Sequence, residues 1–260
     1  HVPFTSHAMT ALGTTIARWY TALARSPVKI VAVDGDHTLW SGGVAEDGVE
    51  GVHIGEPHLA LQRKLVEQND SGRLVCLLSK NEESDVRNLF ERRSEMLLRW
   101  SHLVSHRVDW NPKPDNLKSI VSELELGMDS VVFLDDNPVE CAQMRACCPV
   151  VTTVRVPTDL AQLASFANHL WLFDQPKVTV EDRNRAIMYR ENASRAELRR
   201  TTDSLQSFLS SLDLVVEIAS NDGYLLRHVV AAGIPVVGVE PAGNVAAAAV
   251  AAGVDTEVAF

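Results

Sequence analysis

The sequence predicts an α/β fold: a doubly wound parallel sheet with flanking helices, followed by a partial βαβ unit. Three observations carry this. Short, wholly apolar runs recur, as in VKIVAV, LVCLL and VVFL, and such runs suit strands buried on both faces. Segments with helical spacing alternate with them, which is the order of a parallel sheet wound by crossover helices. Two of the runs end in paired carboxylates, DGD and LDD, where parallel sheets place their chemistry.

Each element follows from its own pattern. Met9, Leu12, Ile16, Trp19, Tyr20 and Leu23 recur at helical spacing, and Ser26 and Pro27 stop that helix. VKIVAVDGD reads as the first buried strand. Residues 39–55, rich in glycine and acidic pairs, read as a compact loop excursion. A helix over 58–70 leads to a strand at Leu74 to Leu78, and another helix spans 82–93. A helix over 114–125 leads to the strand VVFLDD, and a helix over 138–146 precedes VVTTVRV. Phe166, Leu170, Trp171, Leu172 and Phe173 then form an apolar cluster. Residues 180–212 are polar, rich in arginine and glutamate, with sparse apolar positions, and read as one or two amphipathic helices. The second unit is the strand in DLVVEIASNDG, a helix over 224–232, the strand IPVVGVE and an alanine-rich helix. The chain thus divides into a helical lead-in (1–28), an α/β core (29–178), a helical extension (179–212) and a partial βαβ segment (213–260).

Composition bounds the function. The 260 residues carry 24 basic and 34 acidic side chains, a formal net charge of -10, with 46% hydrophobic residues, which excludes a fibrous or wholly disordered chain. No run reaches the roughly 18 apolar residues of a membrane span. The first residues do not form a signal peptide. The acidic balance argues against nonspecific binding to nucleic acid. Cys76, Cys141, Cys147 and Cys148 form no zinc pattern, and a reduced, cytoplasmic protein is expected. The arginine groups Arg92, Arg93 and Arg99, or Arg195, Arg199 and Arg200, read either as a patch for an acidic partner or as solvated helix faces.

The carboxylates carry the chemical signal. Asp34 and Asp36 share one side just past a buried strand, and Thr38 follows. One carboxylate can attack phosphorus while the other protonates a leaving oxygen. Asp135 and Asp136 end the VVFL strand and complete a hard-oxygen set suited to Mg²⁺. Ser79 ends the second strand, where a hydroxyl and nearby N–H groups can hold phosphoryl oxygens. Lys113, flanked by prolines before a helix, can clamp a phosphate and the nucleophile.

The ordered set D-x-D-x-T, S, K, DD resembles the haloacid dehalogenase (HAD) superfamily of phosphatases and phosphotransferases. DGDHTLW, LLSKNEESDV, NPKPDNLKSI, LDDNPVECAQMR and FDQPKVTVEDRNR resemble its FkbH-like group, subfamily IIIC. That resemblance implies a HAD-like fold and Mg²⁺-dependent chemistry on a phosphorylated three-carbon acid such as 1,3-bisphosphoglycerate. It further implies loading of a glyceryl or related hydroxyacyl unit onto the phosphopantetheine thiol of an acyl carrier protein, in polyketide or nonribosomal peptide biosynthesis. In its terms Asp34 is the nucleophile and a metal ligand, and Asp36 is the general acid/base and gives a backbone carbonyl to the metal. Thr38 supports the loop. Ser79 and Lys113 bind phosphate, Asp135 and Asp136 complete the metal site, and Asn81 and Asn137 support it. Trp40 reads as either a substrate cover or a core residue. Two departures stand out: Gly35 occupies the place of a cysteine that is the acyl acceptor in many relatives, and His37 that of an asparagine. With Gly35, a small-molecule phosphatase without acyl transfer is an alternative, as is a noncatalytic megasynthase segment.

EIASNDGYLLRHVVAAGIPVVGVEPAGNVAAAAVAAGV resembles the first βαβ unit of S-adenosylmethionine-dependent C-methyltransferases. Acidic residues at strand ends, here Glu217 and Glu240, commonly bind the ribose hydroxyls of nucleotide-like cofactors. The resemblance implies that Asn221, Asp222 and Gly223 cradle the methionine end of the cofactor and that Glu240 takes its ribose. The segment reads as a truncated Rossmann-like unit.

Overall fold

The computed structural model describes residues 4–175, residues 178, 179, 182, 184, 185, 187–189, 191 and 192, and residues 214–259. The chain divides into two compact units, His1–Ala193 and Ser194–Phe260. Arg195, Arg199, Arg200 and most of the predicted 180–212 helical stretch lie outside the described residues.

The first unit is a three-layer α/β/α structure. A five-stranded parallel sheet in the order β3-β2-β1-β4-β5 is formed by β1 (Ile30–Val33), β2 (Leu74–Ser79), β3 (Leu103–Val108), β4 (Val131–Asp135) and β5 (Thr152–Arg155). The three central strands are the apolar runs, because both of their faces are covered. Val31, Val33, Val75, Leu77, Val132 and Leu134 enter one core, with residues of α3 (Glu56–Asp70), α4 (Glu83–Arg92) and α7 (Leu160–Asn168). Ile30, Ala32, Leu74, Cys76, Leu78, Val131 and Phe133 enter the other, with residues of α5 (Lys113–Glu123) and α6 (Pro138–Cys147). Strand alternation sends successive side chains to opposite layers.

Local chemistry sets the helix starts. Pro57 and Pro114 fall in first turns, where a missing N–H costs nothing. Asn137 caps α6 by accepting from Val139 N at 2.9 Å, and Asp159 caps α7 by accepting from Ala161 N at 2.9 Å. Asn137 therefore anchors the loop that follows Asp135 and Asp136.

Two expectations change and one alternative is decided. The 39–55 excursion contains a helix, α2 (Val44–Gly51), kinked at Gly48, whose φ of 70° suits a residue without Cβ. The edge strand β3 was not expected: Ser105, His106 and Arg107 break the apolar run, and an edge strand tolerates them. Trp40 is a core residue, fully buried and packed edge-on against Phe90 at 6.2 Å. α1 (Ser6–Ala24) forms as expected but buries none of its residues; the Arg18–Asp174 ion pair at 2.5 Å ties it to the chain after α7.

The second unit contains three parallel strands, in the order β6 (Val215–Ile218), β7 (Val236–Val239), β8 (Thr256–Glu257), with α8 (Leu226–Ala231) and α9 (Gly243–Ala251) between them. No described helix is long and apolar enough to cross a membrane.

Candidate active site

Strand order reverses between β1 and β4, because β2 and β3 lie on one side of β1 while β4 and β5 lie on the other. Parallel sheets open a crevice at the carboxyl end of such a switch point. Asp34 follows β1 there, Asp135 ends β4 beside it, and Ser79 ends β2 on the other side. Asp34 N donates to Leu134 O at 2.9 Å, so the backbone itself sets the first aspartate against β4.

Lys113, the first residue of α5, reaches into this crevice. Its Nζ donates to Asp34 Oδ1 at 2.6 Å and to Asp135 Oδ2 at 2.7 Å. All three groups are buried, with relative exposures of 4%, 5% and 0% in the order Lys113, Asp34, Asp135. Burial alone would lower the lysine pKa, but the charges and hydrogen bonds of the two aspartates hold it above its ordinary value. Burial pushes Asp34 up to about 7; Lys113 opposes the rise and Asp135 adds to it. Burial likewise raises Asp135.

Asp34, Asp135 and Asp136 each present a carboxylate oxygen within 4.8 Å of the other two. Three hard-oxygen donors facing a single ammonium leave an excess of negative charge, and the donor set fits Mg²⁺ by charge and by ligand type. Thr38 Oγ1 stands between the strand ends, 3.4 Å from Asp34 Oδ2 and 3.3 Å from Asp136 Oδ1. Asn137 N donates to Asp135 Oδ1 at 2.8 Å.

The side chain of Asp36, the expected general acid/base, is bonded apart from the carboxylate triad. Its Oδ1 accepts from Trp40 Nε1 at 2.8 Å and from Val44 N at 3.2 Å, and its Oδ2 accepts from Asn81 Nδ2 at 2.8 Å. Those donors hold it away from the carboxylate triad and tie it to the start of α2. The same Asn81 amide donates to Ser79 Oγ at 3.1 Å, which links the two strand ends. His37, exposed at the turn, has a φ of 58°, a region that asparagine and histidine enter more readily than most residues.

The cleft has a volume of about 390 Å³ and includes groups outside the motif aspartates. Lys80 and Arg155 line it, with Lys80 paired to Glu140 at 2.7 Å and Arg155 Nε donating to Asp136 O at 3.1 Å. One signal could have found them: Lys80 follows β2 and Arg155 ends β5, beside strands whose ends carry the motif. Of the arginines that read either as a patch or as solvated helix faces, Arg92, Arg93 and Arg99 each have partners of their own. Arg92 pairs with Glu50 at 2.9 Å, Arg93 with Glu95 at 2.7 Å and Arg99 bonds Ser94 O at 2.9 Å.

No cysteine lines the cleft among the described residues. A Cβ at Gly35 would lie 3.0 Å from Ser79 Oγ and 3.1 Å from the Trp40 ring, so the glycine sits under a close lid. Cys76 is fully buried and its thiol is pushed up to about 12, chiefly by burial. Cys141 is buried, donates to Asp135 O at 3.4 Å and is raised to about 11 by burial and Asp135.

In the second unit the expected cofactor residues form a self-contained turn. Glu240 accepts from Asn221 N and from Ala242 N, both at 3.0 Å. Asn221 Nδ2 donates to Ala219 O at 3.1 Å, and Asp222 accepts from Tyr224 N at 3.2 Å. Gly223 has a φ of 75° and donates to Ser220 O at 3.0 Å. Glu217 lies on β6 opposite Gly238, with its Oε2 buried and unbonded among the described residues.

No family model and no curated protein matches the chain. Among solved structures it is similar to the N-terminal part of the protein BF1531 from Bacteroides fragilis, which contains a phosphatase domain complexed with Mg. The identity is 29% and the TM-score 0.59, over 64% of this chain and 46% of that one. This chain therefore spans less than half the length of that structure. A HAD family enzyme from Bacteroides thetaiotaomicron shares 11% identity over 51% of this chain and 95% of that one, at a TM-score of 0.37. The deoxy-D-mannose-octulosonate 8-phosphate phosphatase YrbI from Haemophilus influenzae shares 16% over 70% and 96%, at 0.36. The five-stranded parallel sheet, with its flanking helices and carboxylates at the switch point, defines a doubly wound α/β fold. Over 64% of its length, this chain is similar in shape and sequence to the N-terminal part of BF1531, which contains a phosphatase domain and was solved with magnesium.

Mg²⁺ titration should raise the melting temperature of the protein, since a ligand that binds only the folded state stabilises it. Asp136→Asn should weaken Mg²⁺ affinity about tenfold or more, a loss seen even for groups one step removed from a metal. An unchanged affinity measured by calorimetry would place the metal elsewhere.

Proposed function

We propose that this chain is a Mg²⁺-dependent HAD-type phosphatase acting on a small phosphorylated acid, with a three-carbon acid such as 1,3-bisphosphoglycerate as the leading substrate. The observation that carries the reading is the buried bridge from Lys113 to Asp34 and Asp135, set beside Asp136 at the switch point. Asp34 attacks phosphorus; its P–O bond forms as the bond to the leaving oxygen breaks. Asp36, oriented by Trp40, Val44 and Asn81, gives the proton to that oxygen and later takes one from the water that releases phosphate. Ser79 and Lys113 hold the phosphoryl oxygens. Asp34, Asp135 and Asp136 would hold Mg²⁺, which when bound offsets the negative charge of carboxylates and phosphate. The similarity to a magnesium-bound phosphatase domain supports this reading.

Loading of a glyceryl unit onto an acyl carrier protein is the further activity that the FkbH-like resemblance implies. In this chain it would have no thiol acceptor in the loop, because Gly35 offers none and neither Cys76 nor Cys141 lines the cleft. The geometry therefore favours phosphatase chemistry without an acyl-enzyme. For the second unit, binding S-adenosylmethionine would require Glu240 to exchange the N–H groups of Asn221 and Ala242 for ribose hydroxyls, giving up two charge-assisted bonds.

Asp34→Asn should lower phosphate release by at least about 10³-fold, the scale on which nucleophile deletions act. Unchanged release would remove Asp34 from the nucleophile's role. Mass spectrometry of a carrier protein incubated with enzyme and 1,3-bisphosphoglycerate should show phosphate release without a three-carbon adduct; an adduct would establish transfer instead. Calorimetric titration with S-adenosylmethionine should give no saturable heat, and saturable binding would contradict the reading of Glu240.

A further inference from the structure

A second cavity, of about 310 Å³, opens in the first unit at the opposite end of the sheet, beside the starts of β1 and β2. It shares no residue with the carboxylate cleft. Arg25, Lys29, Arg73 and Arg185 line it together with Asp174 and Asp182. Both carboxylates are already engaged. Asp174 accepts from Arg18 at 2.5 and 2.7 Å, and Asp182 bonds Arg185 and the backbone and hydroxyl of Thr179. Among the described residues, no carboxylate pairs with Arg25, Lys29 or Arg73.

Arg73 is the least ordinary of these groups. It is 5% exposed, yet its bonds go to neutral oxygens: Val28 O at 3.2 Å, Phe173 O at 3.1 Å and Gln68 Oε1. These use one N–H on each nitrogen, three of the five that a guanidinium offers. Arg25 bonds only the carbonyl oxygens of Trp171 and Leu172, and the Lys29 ammonium has no acceptor among the described residues. A buried cation with neutral partners lacks the counter-charge that normally accompanies it. Burial first, and then the charges of Arg25 and Arg185, lower the Arg73 pKa to about 10, with Asp182 and Asp174 opposing the fall. This local excess of positive charge stands in a chain whose net charge is -10.

We propose that this cavity binds a small phosphate dianion through Arg25, Lys29 and Arg73. Two guanidinium forks and one ammonium suit a tetrahedral dianion, which can accept from several donors at once. The phosphate can arrive free or as the headgroup of a small ester.

Isothermal titration calorimetry of the whole chain in EDTA tests this, because without metal the crowded carboxylates of the cleft repel anions. The probes are inorganic phosphate and glycerol 3-phosphate. Saturable binding of at least one is expected, with affinity reduced about tenfold or more in Lys29→Gln, the scale of one lost charge-assisted bond. Lys29→Arg should restore it. Tighter binding of glycerol 3-phosphate would identify an ester as the occupant; equal or tighter binding of inorganic phosphate would identify the free ion. Backbone amide shifts in the wild-type chain should cluster at residues 25–29 and 71–73. Absence of saturable binding, unchanged affinity in Lys29→Gln, or amide shifts confined to the Asp34 and Ser79 loops would overturn the proposal.

Discussion

The ammonium of Lys113 lies between two carboxylates that belong to different strands, and all three groups are removed from water. Charges in that position are tolerable only together. Removing one partner of such a buried set typically costs about 3–5 kcal/mol, because the remainder is left uncompensated. The bridge therefore fixes the start of α5 against the ends of β1 and β4. Thr38 and the Asn137 cap then settle around Asp136. Three segments separate in sequence are thus held to one geometry by a single side chain.

The same bridge explains the division of labour between the two motif aspartates. Asp34 is tied to Lys113 and faces Asp135 and Asp136, so its environment is ionic. Asp36 is tied instead to an indole N–H, a helix-start N–H and an amide, so its environment is a frame of neutral donors. Two residues apart in sequence, they have different partners because Asp34 continues β1 while Asp36 lies within the turn closed by Thr38 N and Leu39 N donating to Gly35 O, with His37 in the left-handed region. Trp40 closes that turn from below, and the position of Gly35 under its ring leaves little room for a larger residue.

Much of this was legible in the sequence. The three central strands announced themselves because burial on both faces demands unbroken apolar runs, and the aspartates at their ends followed from parallel-sheet geometry. The doubly wound parallel sheet was legible for the same reason. β3 was not, since an edge strand can carry Ser105, His106 and Arg107 without penalty. Nor was α2, whose glycines and acidic pairs resemble a loop until Gly48 takes the left-handed conformation that permits a kinked helix. The Lys80–Glu140 and Arg155 contacts at the cleft were also hidden, because they depend on which strand ends become neighbours in space. In the second unit the sequence pattern located the turn, but spacing could not reveal that Glu240 satisfies backbone N–H groups of its own unit.

In the proposed reaction Asp34 forms the bond to phosphorus, within a site held by Lys113 and completed by Mg²⁺. A crystal structure of the chain with Mg²⁺ and beryllofluoride, a mimic of an acyl-phosphate, would show where that bond forms. Beryllium is expected on an Asp34 carboxylate oxygen, with Lys113 and Ser79 on the fluorines and the metal held by Asp34 with Asp135 or Asp136. Beryllofluoride bound to another residue, or absent from Asp34 while Mg²⁺ is present, would contradict it.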